Sequence, residues 1–227
     1  MTSFDPSSGL AAALLLRLGI VAATLLAARR RDVARRTALL GSALASLLTG
    51  VTAVGVLHSG TPVQGQWLVH GASGFALTCG VDALSAWFLL VLSLLAVPIA
   101  VFSLGYVERS HLRERAVFFG VAYNVLLGAM ELVFAAGDVI TFLAAWEVMT
   151  LTTAALVATE HEARATRRAA FLYLVMSHVG TGCLIAGFFT LASISGSLSF
   201  STLLAGDLAG GPLRHVLFAL FLLGFGV

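Results

Sequence analysis

Residues 141–158 read TFLAAWEVMTLTTAALVA, an apolar run with one charged residue, Glu147, near its centre. As a helix the run is about 27 Å long at 1.5 Å per residue, close to the roughly 30 Å hydrocarbon core of a bilayer. It reads as a membrane span carrying a carboxyl near the midplane. Ionisable side chains are costly at that depth, so each one present needs a reason.

The rest of the chain supports this reading. Of 227 residues, 59% are hydrophobic and 11% charged, and the mean hydropathy is +1.00; a soluble domain carries about a quarter of charged residues. Complete spans are predicted at 10–28, 37–57, 81–106, 116–136, 139–158 and 169–192, and a further apolar run extends from near Leu213 to Val227. The predicted fold class is all-α: a polytopic transmembrane helix bundle of six complete spans plus a truncated seventh. A last run of about 15 residues is short for a crossing, so a fragment of a longer protein is expected.

The arginines test the segmentation. The chain has no lysine, and 11 of its 13 basic residues fall in three loops, at 29–36, 109–115 and 164–168. The alternate loops, 58–80 and 193–212, carry none. Short cytoplasmic loops hold the excess of positive charge, so the N-terminus is expected outside. The first apolar run has its arginines after it, unlike a cleaved signal peptide. Loop 58–80 is rich in Gly, Ser and Thr, and its His58 and His70 read as solvated residues without ligand-like spacing.

Several functions are excluded. A net charge of +2 gives no nucleic-acid surface. Cys79 and Cys183 stand apart and form no metal or iron–sulfur motif, and no GxGxxG fingerprint is present. No cofactor is expected in this chain.

The ionisable residues at membrane depth are the candidate site. Glu147 lies about eight residues below Val139, roughly 12 Å, and His178 about nine residues from Ala169 on the antiparallel sixth span, roughly 14 Å from the other surface. The two are expected at the same height. Helical spacing gives Glu147 the neighbours Leu143, Ala144, Thr150, Leu151 and Ala154, a face expected to pack on other helices. His178 shares its face with Thr181 and Gly182. An acid there can hold and release a proton out of reach of bulk water, as a relay residue must. Glu131, about 8 Å from the end of span four, is a further candidate relay or access residue. Arg17, inside span one, needs an acidic partner or a reach to the interface, and is read as structural. Asp82 is placed to stabilise the N-terminus of span three. Asp138 fits turn chemistry, and Trp87, Trp146, Tyr106 and Tyr123 fit packing or interface anchoring.

Taken together, GVDALSAWFLLVLSLLAVPIAVFSLGYV, AAGDVITFLAAWEVMTLTTAALVA, FLYLVMSHVGTGCLIAGF and the following GSLSF resemble the antiporter-like membrane subunits of complex I, Mrp-type cation/proton antiporters and membrane-bound hydrogenases. WEVMTLTTAALV and FLYLVMSHVGT resemble most the hydrogenase-4 component B or formate hydrogenlyase subunit 3 branch. The resemblance covers residues 75–227. It implies a larger bundle built from inverted repeats, each with a broken helix, and proton transfer along buried charged residues. It places Glu147 on the glutamate of the family's Trp-Glu motif, which works with a lysine of a later, broken helix. Residues 1–74 then form a two-helix region with an outer loop, and 75–227 the incomplete first half of an antiporter-like domain.

The expected function is that of a non-redox, proton-translocating subunit of a hydrogenase-4, formate hydrogenlyase or NADH-quinone oxidoreductase type complex in the inner (cytoplasmic) membrane. Its partners would be other membrane subunits and the lipid bilayer. The alternatives are an Mrp-type Na⁺/H⁺ antiporter subunit or a non-transporting structural subunit.

Overall fold

The computed structural model describes residues 6–70, 75–109, 111–205 and 211–227. Among the described residues eight α-helices follow in chain order: α1 (Pro6–Leu26), α2 (Arg31–Ser59), α3 (Ala83–Arg109), α4 (Ala116–Ala135), α5 (Val139–Val157), α6 (Arg164–Ser195), α7 (Phe200–Ala205) and α8 (Pro212–Gly226). Six of them, α1 to α6, are long and apolar enough to cross a membrane; α8 is a shorter apolar helix. The chain is thus a polytopic helix bundle. Many large apolar side chains face outward, among them Leu94 at 72% and Phe102 at 70% exposure, as lipid-facing positions do.

Two features depart from the hydropathy reading. Helices α2 and α6 run 29 and 32 residues, past the predicted spans at their arginine-bearing starts. Arginine interrupts an apolar run but is a good helix former, so the backbone continues where hydrophobicity stops. The expected polar loop between α2 and α3 begins later, because His58 still belongs to α2. It also contains two strands, β1 (Val63–His70) and β2 (Phe75–Val81), paired in one sheet. This hairpin is an addition to the all-α expectation. Its Gly, Ser and Thr content masked short β-prone runs such as FALTCGV. Residues 71–74 and the side chain of His70 lie outside the described residues.

The chain divides into two compact units, residues 1–65 with 80–135, and residues 66–79 with 136–227. In the first, α2 packs on α1, α3 and α4. Its buried stripe is mostly small, with Ala34, Ala38, Ala45 and Ala53 fully covered; small residues let membrane helices approach closely, where lipid offers no hydrophobic drive. The core is completed by Leu39, Leu92, Ala96, Ala100, Tyr123 and Leu127. At the arginine-bearing end of this unit, Arg35 pairs with Glu108 at 3.0 Å and Arg113 with Asp32 at 3.3 Å. The ends of the loops at 29–36 and 109–115 therefore meet, as a shared side requires.

In the second unit α6 packs on α5 and α8. A Cβ on Gly180 would lie 3.0 Å from the carbonyl oxygen of Gly224, and one on Gly187 3.0 Å from the Phe221 ring. A side chain at either position would press on α8, so the helices touch closely there. Phe142 of α5 packs edge-on against Phe188, Phe200 and Phe225, joining α5, α6, α7 and α8 in one aromatic cluster.

Candidate functional site

Each unit carries an acid facing a basic side chain inside membrane-spanning helices. In the first unit the pair is Glu131 of α4 and Arg17 of α1. Arg17 Nε donates to Glu131 Oε2 at 2.8 Å and its Nη2 to Oε1 at 2.7 Å, the two-pronged geometry that suits guanidinium and carboxylate. The surroundings complete the set. Arg17 also donates to Ser46 at 2.8 Å and Ser42 at 3.4 Å, and Thr49 donates to Glu131 Oε1 at 2.6 Å. Arg17 and Glu131 are only 3% and 1% exposed. The Glu131 side chain turns inward from the end of its span, where Arg17 and Thr49 hold it with three hydrogen bonds. Arg17 has the acidic partner that the sequence did not name, and Ser42, Ser46 and Thr49 were not singled out.

In the second unit Glu147 of α5 faces His178 of α6, with 3.8 Å between Oε2 and Nε2. The other ring nitrogen, Nδ1, lies 2.8 Å from the Leu174 carbonyl oxygen. A carbonyl only accepts, so Nδ1 carries a proton in that contact and Nε2 of the neutral ring keeps its lone pair toward Glu147. The side chains are 31% and 50% exposed. The packed face expected around Glu147 is only partly so: Leu143, Thr150 and Ala154 are buried, whereas Ala144 and Leu151 are exposed. Thr150 spends its hydroxyl on the Glu147 carbonyl oxygen, not the carboxylate. Glu147 thus sits at the edge of the α5 packing face.

Two further acids sit at helix starts. Asp82 Oδ1 accepts from the Ser85 amide at 2.8 Å, at the N-terminus of α3. Asp138 caps α5 and does more than turn chemistry implies. Its carboxylate accepts from the Thr141 amide at 2.8 Å and hydroxyl at 2.7 Å, from the Thr78 amide at 3.0 Å, and from the Thr78 hydroxyl. Backbone bonds reinforce the junction: Gly137 N–H donates to Thr78, Val139 N–H to Leu198 and Phe200 N–H to Gly137. Burial pushes the Asp138 carboxyl up, and the hydrogen bonds from Thr78 and Thr141 outweigh it, leaving it below its ordinary value. Beside it, burial raises the Cys79 thiol to about 11. Among the described residues no group of three His, Cys, Asp or Glu side chains is placed to hold a metal ion.

Six long apolar helices with ionisable pairs inside them define a multi-pass membrane protein with charged side chains within its spans. Residues 136–227, the bulk of the second unit, match the family described as NADH:quinone oxidoreductase/Mrp antiporter, transmembrane. The chain is 34% identical over 177 residues to an uncharacterised Mycobacterium tuberculosis protein, covering 78% of this chain and 26% of that one. It is 30% identical over 196 residues to hydrogenase-4 component B of Escherichia coli K12, covering 84% and 28%. Its fold matches a chain in the structure of the membrane-bound sulfane sulfur reductase, an archaeal respiratory membrane complex, with a TM-score of 0.72 and 23% identity over 94% of this chain and 33% of that chain. The chain belongs to the antiporter-like membrane subunits of the complex I, Mrp antiporter and membrane-bound hydrogenase superfamily. It spans about a quarter of the length of these curated relatives.

Proposed function

We propose that this chain is a non-redox, proton-translocating part of a respiratory or hydrogenase-type membrane complex, and that Glu147 and His178 are its proton-exchanging pair. The observation that carries the proposal is the mid-helix Glu147–His178 contact of 3.8 Å, with His178 Nδ1 held by Leu174. A carboxylic acid facing the lone pair of Nε2 is a donor facing an acceptor. The proton can reside on either group, and the exchange needs no movement of the backbone.

Arg17 and Glu131 take a different role in this reading. A carboxylate held by a bidentate guanidinium and a hydroxyl is a fixed counter-charge, and the pair ties α1 to α4. Asp82 and Asp138 fix helix starts. Electron transfer belongs to partner subunits, as the hydrogenase-4 relative suggests, and the host is the cytoplasmic membrane. The family description also names Mrp antiporters, so a cation/proton antiporter subunit is the second reading. Sodium-gradient-driven proton movement without a reductant separates it from the first.

The test is Glu147→Gln in the assembled complex, reconstituted in liposomes and energised through its own electron donor. Proton translocation is expected to be lost while the abundance of the complex is unchanged. Wild-type translocation in this variant would overturn the proposal and leave a structural subunit.

A further inference from the structure

Thr181 lies on α6 one helical turn beyond His178. Its side chain is 4% exposed, and among the described residues no protein atom pairs with its hydroxyl. Other threonines of the membrane helices behave differently. Thr24, Thr52, Thr152, Thr153 and Thr190 each donate to the carbonyl four residues earlier, the route by which a helical hydroxyl satisfies itself without a neighbour. Thr181 does not take it, although Ser177 offers the same carbonyl.

The register of the helices gives the place of this hydroxyl. Glu147 faces His178 and Phe142 faces Phe188, so Thr181 lies at the level of residues 144–147 of α5, displaced from the pair toward the Asp138 end of that helix. A second observation concerns the pair itself. A separation of 3.8 Å between Glu147 Oε2 and His178 Nε2 exceeds direct hydrogen-bond range, and polar groups at such spacing are commonly joined through water. Buried hydroxyls without a protein partner are likewise satisfied by ordered water.

We propose that Thr181 binds a water molecule beside the Glu147–His178 pair and that this water carries the proton between the two side chains. The water accepts a proton from the Glu147 carboxyl while giving one of its own to His178 Nε2. Only O–H and N–H bonds form and break, and nothing is oxidised or reduced. Thr181 is a positioning residue in this scheme, because its hydroxyl fixes the water and never holds the transferred proton. The inference rests on the reading of Glu147 as a proton-exchanging residue.

The experiment compares Thr181→Val, Thr181→Ser and Glu147→Gln in the assembled complex, with rates normalised to the amount of this chain. Thr181→Val keeps the shape and removes the hydroxyl; translocation should fall about tenfold, the scale of one lost buried hydrogen bond, while Thr181→Ser stays near wild type. In infrared difference spectra the Glu147 carboxyl band, identified by its loss in Glu147→Gln, should move to higher wavenumber in Thr181→Val because a hydrogen-bond partner has gone. A wild-type rate and an unmoved band in Thr181→Val, with Glu147→Gln inactive, would overturn this inference alone. Equal losses in the Val and Ser variants would also overturn it. An active Glu147→Gln would remove the underlying reading and the inference together.

Discussion

Arg17 and Glu131, 114 positions apart, are joined by two hydrogen bonds of 2.8 and 2.7 Å in a setting only 3% and 1% exposed. Removing one partner leaves the other charge buried without compensation, which costs about 3–5 kcal/mol in comparable pairs. Arg17→Met or Glu131→Leu alone should therefore lower the thermal stability of the purified protein sharply. Arg17→Met combined with Glu131→Leu should recover most of the loss, since replacing a whole buried pair by apolar groups is often nearly neutral. Unfolding scans of the three variants check this, and additive losses would deny the coupling.

That pairing was within reach of the sequence and shows where legibility ends. Arg17 lies about 10 Å along the predicted first span, counted from Leu10, and Glu131 about 8 Å from the end of the predicted fourth, by helical rise. Both depths run from the same expected surface, so applying one calculation to both residues would have matched them. The same arithmetic did set Glu147 and His178 at one height, and they do face each other. Hydropathy also located all six long helices, because a bilayer imposes length and apolarity on every crossing. It could not see the hairpin at 63–81, whose strands of eight and seven residues fall far below span length, nor the link from Thr78 to Asp138, which joins residues 60 positions apart. Thr181 was noted as a neighbour of His178. Its unpaired hydroxyl is a matter of rotamer and packing, which no spacing rule contains.

The Asp138 junction should carry a pH signature. The folded-state carboxyl is held below the ordinary value of 3.8, so its stabilising contribution is fully present above that value. It is lost as the pH falls through the lower folded-state value, where protonation removes the acceptor for Thr78 and Thr141. Asp138→Asn retains a capping oxygen and should show a weaker fall in thermal stability between about pH 5 and pH 2. Asp138→Ala loses the cap and should be less stable by about 1 kcal/mol already at neutral pH. Equal pH dependence in wild type and Asp138→Asn would place the acid sensitivity elsewhere.

The contact between α6 and α8 makes neighbouring glycines respond in opposite directions. A Cβ on Gly180 would stand 3.0 Å from the backbone oxygen of Gly224, and backbone cannot turn aside as a side-chain tip can. Gly180→Ala should push the helices apart and cost about 1–3 kcal/mol, the range for inserting a methyl group into a packed interface. Gly182, two positions along, has nothing within 4 Å of its would-be Cβ. Gly182→Ala should therefore stabilise α6 by roughly 0.5–1 kcal/mol, because alanine loses less backbone freedom than glycine on entering a helix. Thermal unfolding of the two single variants measures both signs in one experiment. A neutral Gly180→Ala would mean that α8 does not press on α6 at that carbonyl.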